Sequence, residues 1–300
     1  MQKIIFYFRF IISCILVHCS ITTFGQIKSI YPENFSGYFN APFFVNPSYV
    51  PLMGDVNIGF NYRSRRIISD LATMGFHIEK IARFKNKSSH LFRIAITNEK
   101  SGQYLSSPKL YFNYGGGLML GNETYLYAGL LLGIISENYN PPSGSASGNV
   151  PDGAIGIGLR KNSFLFGLSS FQVFSSSVQL LSQFITFNRY YVANMDGALP
   201  LSSHTDLKIY SLLRHFDDLP NQYIVGSGIS YDNFIEGGVI YQHNQGMVVY
   251  GSLEFNHENN PFYLYFSYNS GLTSQGGSIN DSYEMSLRYT INKKNKVLEE

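Results

Sequence analysis

The chain contains no tryptophan, and its two cysteines, Cys14 and Cys19, both sit near the amino terminus. Without that leader no thiol remains, which excludes a disulfide scaffold, thiol catalysis and cysteine metal sites together. Charge is scarce too: Asp, Glu, Lys and Arg form 14% of the 300 residues, against roughly 25% in ordinary soluble proteins. Hydrophobic residues reach an unexceptional 44%, so the sequence is not a bundle of transmembrane helices. Abundant instead are 23 Tyr, 24 Phe and 28 Gly. So many aromatics exclude a disordered chain. Low charge, many aromatics and ordinary hydropathy together point to an outer-membrane β-barrel, whose lipid-facing and lumen-facing residues average out.

Residues 1–25 read as a secretory leader. Lys3 and Arg9 give a positive start, Ile11 to Val17 an apolar core, and Thr23-Phe24-Gly25 a small-residue site before Gln26. The apolar core is far shorter than the ~20 residues of a spanning helix. His18 stands where a lipoprotein signal needs a small residue before its cysteine. Removing Lys3 and Arg9 leaves 20 basic against 20 acidic residues. A neutral chain without runs of one charge gives no reason to expect a nucleic-acid partner.

From Asp55 onward apolar and small or polar residues alternate, the period of a two-faced strand. Val56, Ile58, Phe60 and Tyr62 alternate with Asn57, Gly59, Asn61 and Arg63; Phe92, Ile94 and Ile96 alternate with Arg93, Ala95 and Thr97. The pattern predicts fourteen segments: 55–63, 71–81, 89–98, 109–119, 123–136, 153–160, 163–173, 189–198, 205–214, 222–231, 234–242, 246–256, 262–269 and 282–291. Most are about the 9–11 residues that a tilted strand needs to cross a bilayer. All 11 prolines fall outside these spans, as a sheet without edges favours. Short polar pieces around Asn122, Asn162, Asp232-Asn233, Asn244 and Glu258-Asn259 read as turns, and 137–152, 174–188 and 270–281 as loops on the opposite rim. Leu126 to Ile135 is apolar on both faces; a buried helix fits equally, but Gly129 and Gly133 favour a strand against a plug or curved wall.

A soluble sandwich also alternates, but its outer face carries Lys, Glu and Asp. Here the non-apolar face is Gly, Ser, Asn, Thr and Tyr with single charges. An all-β, transmembrane antiparallel barrel of about 14 strands over 55–291 fits better, since closure pairs every backbone amide in lipid. Residues 26–54 hold four prolines and seven aromatics, too broken for a strand and too apolar for water. They form a plug inside or across the periplasmic mouth, with Asn46-Pro47 fixing a turn, or an ordered arm packed on the rim. Arg63, Glu79, Arg93, Arg160, Glu284 and Arg288 fall on the proposed lumen face, where they line a pore or pair to seal the interior.

No chemistry-bearing motif emerges. None of His77, His90, His204, His215, His243 and His257 sits in a spaced metal motif, and His90 near Ser88 and Ser89 is only sequence proximity. G-x-S-x-G, H-E-x-x-H and P-loop patterns are absent. No catalytic, metal or cofactor site is expected.

The ordered motifs resemble those of one family. Tyr38, Asn40, Pro42, Asn46, Pro47, Ser48 and Tyr49 carry a likeness to the Y-x-x-N-P…N-P-A-Y-A-G opening of the PorP/SprF family of type IX secretion and gliding proteins. Asn98-Glu99-Lys100-Ser101-Gly102 is similar to its N-D-K-x-G turn, and Pro151-Asp152-Gly153 with Ile155 to Gly158 resembles its P-D-x-x-x-G-x-G element. Tyr283 to Tyr289 resembles its terminal strand, here followed by a charged tail, 292–300. The first Asn-Pro is split as Asn40-Ala41-Pro42, and Ser48-Tyr49-Val50-Pro51 replaces A-Y-A-G. The resemblance implies a non-enzymatic outer-membrane component supporting export or surface attachment of secreted proteins. Its implied partners are outer-membrane lipid, secretion ring or motor-linked components, and the C-terminal domain of an adhesin-like substrate. A diffusion channel for small solutes and a soluble secreted β-sandwich are the alternatives.

Overall fold

The computed structural model describes residues 35–52, 54–65, 71–84, 88–181, 183–243, 245–257, 260–270 and 281–292. The expected leader, the start of the 26–54 segment and nearly all of the tail lie outside these residues, as does most of the 270–281 loop. Two 3₁₀ turns, Tyr38–Asn40 and Pro42–Phe44, precede sixteen strands. These are β1 (Val56–Arg65), β2 (Leu71–Arg83), β3 (Ser88–Ser101), β4 (Leu105–Gly121), β5 (Thr124–Tyr139), β6 (Ala146–Lys161), β7 (Phe164–Phe171) and β8 (Ser177–Leu180). They continue with β9 (Gln183–Thr186), β10 (Tyr190–Pro200), β11 (Thr205–Phe216), β12 (Gln222–Tyr231), β13 (Ile235–Gln242), β14 (Gly246–His257), β15 (Asn260–Ser270) and β16 (Ser282–Ile291).

Fourteen strands form one closed antiparallel barrel in chain order, sealed where β1 pairs with β16; β8 and β9 make a separate hairpin. The expected segments and the barrel strands correspond one to one. The doubly apolar stretch is strand β5, its inner face on the amino-terminal segment and Leu126, Leu130, Leu132 and Ile134 facing outward. Alternation is inverted relative to a soluble protein: Phe92 is 60% exposed while Arg93 beside it is 3% exposed. Apolar side chains outside and polar ones inside are what a bilayer selects.

An even strand number places both ends of the barrel chain on one rim. That rim also carries the β2–β3, β4–β5, β6–β7, β10–β11, β12–β13 and β14–β15 strand ends, joined among the described residues by 122–123, 162–163, 201–204 and 232–234. At Asp232-Asn233 both residues take positive φ (52° and 53°) and the Phe234 amide bonds to the Tyr231 carbonyl at 2.9 Å, a tight hairpin turn of the twist-matching kind. Short turns mark the periplasmic rim. The 243–245 connection, expected among the short turns, lies with the longer ones on the extracellular rim.

Three further expectations need correction. β4, β5 and β6 run 16–17 residues and absorb most of 137–152 as strand. The strands also take in Pro108, Pro151, Pro200 and Pro261. Pro200 and Pro261 sit at or next to strand ends; Pro108 falls where β4–β5 pairing skips two residues, and Pro151 lies on the extracellular extension of β6. Missing N–H groups are tolerated at such margins. Finally, 174–188 is no plain loop: β8 and β9 fold onto the inward side of the β5–β6 extension, where Val178, Leu180, Ile185 and Phe187 pack with Ile135 and Val150. That second apolar core lies under the extracellular end.

Candidate functional site

Residues 35–52 run through the lumen. Phe43, Val45 and Val50 are each 1% exposed, and fully burying such side chains stabilises by roughly 1.5–3 kcal/mol apiece. The Asn46 side chain closes a local turn by accepting from the Ser48 amide (3.0 Å) and hydroxyl (2.8 Å), and donates to the Ile157 carbonyl on β6 at 3.0 Å. Asn113 on β4 donates to the Pro47 carbonyl at 3.0 Å, and the Ser169 hydroxyl on β7 to the Val45 carbonyl at 2.7 Å. The wall is flat at this point because Gly129 and Gly156, directly opposed across β5 and β6, carry no side chain; a Cβ on Gly129 would lie 2.5 Å from Ser48 Cα. Phe39 stacks on Tyr210 with centroids 4.1 Å apart. Tyr38 donates its hydroxyl to Asp196 at 2.6 Å, and burial holds that phenol well above its ordinary pKa, so it remains a donor.

The six charges expected on the lumen face separate into two classes. Arg63 and Glu284 pair across the barrel seam at 3.4 Å, and Arg93 and Glu79 across β2–β3 at 2.5 Å, all four essentially buried. Glu284 also accepts from the Ser36 amide through both oxygens, at 2.7 and 2.8 Å. Glu79 accepts from Asn57 at 2.7 Å; Arg93 donates to Asn113 and lies 4.4 Å from the Phe43 ring centroid. A polar chain thus runs from β1 to the Pro47 turn. Arg160 and Arg288 have no carboxylate within ion-pairing distance among the described residues; they lie over the rings of Tyr49 (5.9 Å) and Tyr263 (4.8 Å). Both line a cavity of about 350 Å³ between the inner segment and the periplasmic ends of β1, β15 and β16.

The motif residues of 38–49 converge on this interior. Pro42 opens the second 3₁₀ turn, and the Asn40 side-chain nitrogen Nδ2 is buried without a hydrogen-bond partner. Asn98, Glu99 and Lys100, expected in a turn, lie in β3, and Pro151 and Asp152 lie in β6. The strands outlast the membrane there, so Glu99 points inward to Lys109 (3.3 Å) and Asp152 accepts from Tyr111 (2.8 Å). Asn57, Asn113, Ser169 and Asp196 were missed because single polar residues on an alternating strand look alike; only their inward parity could have selected them. His90 meets Tyr114 at 2.6 Å outside the barrel, part of an aromatic belt with Phe84. No group of three metal-ligating side chains forms among the described residues.

The profile of the type IX secretion system membrane protein PorP/SprF matches residues 27–289. The chain belongs to the PorP/SprF family. No curated protein matches it. Among solved structures, a FadL homologue of Pseudomonas aeruginosa is similar at 7% identity and TM-score 0.53, covering 78% of this chain and 89% of that one. The toluene transporter TodX of Pseudomonas putida is similar at 10% identity and TM-score 0.53, covering 88% and 94%. Such identities establish the fold alone. This PorP/SprF protein is therefore an outer-membrane barrel of the type IX secretion class, with a lumen occupied by its own chain.

Proposed function

We propose that this protein is a non-enzymatic component of the type IX machinery that supports export or surface attachment of particular secreted proteins. Family membership over 27–289 is the observation that carries the reading. The geometry supports it: an inner segment tied to β4, β6, β7, β10 and β16 suits a resident plug better than a free-diffusion pore. In this reading 1–25 is the leader, 26–54 the plug, 55–291 the barrel and 292–300 a periplasmic tail. The periplasmic face meets ring or motor-linked components, and the C-terminal domain of an adhesin-like substrate is the cargo element. Lumen pairs Arg63–Glu284 and Arg93–Glu79 seal the interior. Deleting the gene is expected to abolish secretion of a specific cargo, seen by comparing surface and culture-fluid proteins with the parent strain; unchanged secretion refutes it.

A second reading, a channel for small solutes, is favoured by the likeness to a barrel described as a toluene transporter. Loss of solute uptake with intact secretion in the same deletion strain would establish it instead.

A further inference from the structure

The periplasmic-side cavity carries chemistry that the plug reading does not use. Three guanidinium groups (Arg93, Arg160, Arg288) and two carboxylates (Glu79, Glu254) line it, leaving one positive charge in excess. Glu79 and Arg93 satisfy each other. Arg160 and Arg288 lie over tyrosine faces, a contact that leaves each guanidinium without a carboxylate partner among the described residues, and Arg160 also neighbours the Tyr127 hydroxyl. Around them, Asn40 Nδ2, His77 Nδ1 and Arg160 Nε are buried without hydrogen-bond partners, and Asn40 and His77 are each more than nine-tenths buried. Unmet polar groups in a low-dielectric pocket carry a cost that a ligand can relieve. Phe43, Pro42 and Pro261 supply an apolar wall, and Leu52, 44% exposed, marks the open side.

We propose that this cavity is a binding site for a carboxylate, entering from the periplasm and seated between Arg160 and Arg288. One excess positive charge suits a monoanion rather than a doubly charged phosphate, and Arg presents the planar donor edge that a carboxylate matches. The apolar wall receives the body attached to it. A free small acid and a peptide chain terminus present the same group, and the volume admits either a short acid or one terminal residue. The site rests on the geometry alone and stands whether or not secretion is the protein's role.

The test is calorimetric titration of the full mature barrel in detergent with hexanoate, with 1-hexanol as its neutral counterpart, and with a short Gly-Ser peptide bearing a free C-terminal carboxylate or its amide. Expected is saturable binding of hexanoate but not hexanol, weakened about tenfold or more by Arg160→Gln and by Arg288→Gln, as loss of a charge-assisted bond implies. Preference for the free-acid peptide over its amide, with the same arginine dependence, identifies a protein terminus as the source. Hexanoate binding alone identifies a small acid. Tyr263→Leu leaves both arginines in place and tests the stacked geometry; it too is expected to weaken binding, with heat-modifiable gel migration reporting the fold. Absence of saturable binding by any carboxylate, or unchanged affinity in the Arg160→Gln/Arg288→Gln variant, overturns the proposal.

Discussion

Gly129→Ala isolates the seating of the inner segment from the integrity of the barrel. The added methyl group would meet the Pro47 carbonyl and Ser48 Cα, both backbone, so no flexible side chain can swing aside. Overpacking of this kind costs about 1–3 kcal/mol. If the Asn46–Ser48 turn lifts instead, the bonds from Asn113 to Pro47 and from Asn46 to Ile157 are lost, at about 1 kcal/mol each. The outward face of β5 is untouched, so insertion and strand pairing should survive. Chymotrypsin, which cuts after aromatic residues, reads the result: Phe43, Phe44 and Tyr49 are protected in the folded parent and become cleavable in the variant, while heat-modifiable migration persists. Gly121→Ala, on a periplasmic turn with open space around it, should leave protection unchanged. Cleavage of the parent within 35–52 at the rate of an exposed loop would refute the seated-segment reasoning, as would full protection of Gly129→Ala with unaltered thermal stability.

Asn46→Ala removes both the local turn bonds and the tether to β6; a loss of about 1–3 kcal/mol is expected from equilibrium unfolding in detergent. Arg93→Met strands the buried Glu79 and should cost about 3–5 kcal/mol, whereas the paired Glu79→Gln/Arg93→Met variant should be milder; equal losses would remove the pairing as the cause. Glu284→Leu orphans the Ser36 amide as well as Arg63's ion pair, so its midpoint should fall further than that of Arg63→Leu, which leaves Glu284 its backbone donors. Ile157→Arg puts a cation on the outer wall of β6, and a loss of up to about 2–4 kcal/mol in bilayer unfolding is expected; no loss would argue against lipid contact there.

The strand set was legible because period-two alternation survives whether the apolar face meets a core or lipid, and the scarcity of charge decided which. Strand ends were less legible. β4 to β6 leave the apolar band but keep pairing, and nothing in a stretch such as Ser147 to Pro151 distinguishes a wetted strand from a loop. The β8–β9 hairpin escaped for a related reason: four-residue strands on either side of Leu181 are too short to show a period. The inner segment was legible as something neither strand nor soluble, but its contacts depend on which wall glycines stand opposite one another, a matter of register.

Register also explains which lumen charges pair. Arg63 lies directly opposite Glu284 across the closing seam, and Glu79 directly opposite Arg93. Neighbours at that separation on one face fall within reach of a salt bridge, and burial makes the partner obligatory because an isolated charge there is costly. Arg160 faces Tyr125 and Leu165 across its two ladders, and Arg288 faces Gly59 and Tyr263. No carboxylate stands opposite either one, so their charge is held by aromatic faces and the wet periplasmic mouth. Arg214 on β11 likewise faces no carboxylate, lying opposite Val192 and Gln222, but it is 1% exposed and enclosed by the interior. Arg160 and Arg288 differ from it in opening onto the same periplasmic-side cavity, where something arriving from outside the barrel can reach them.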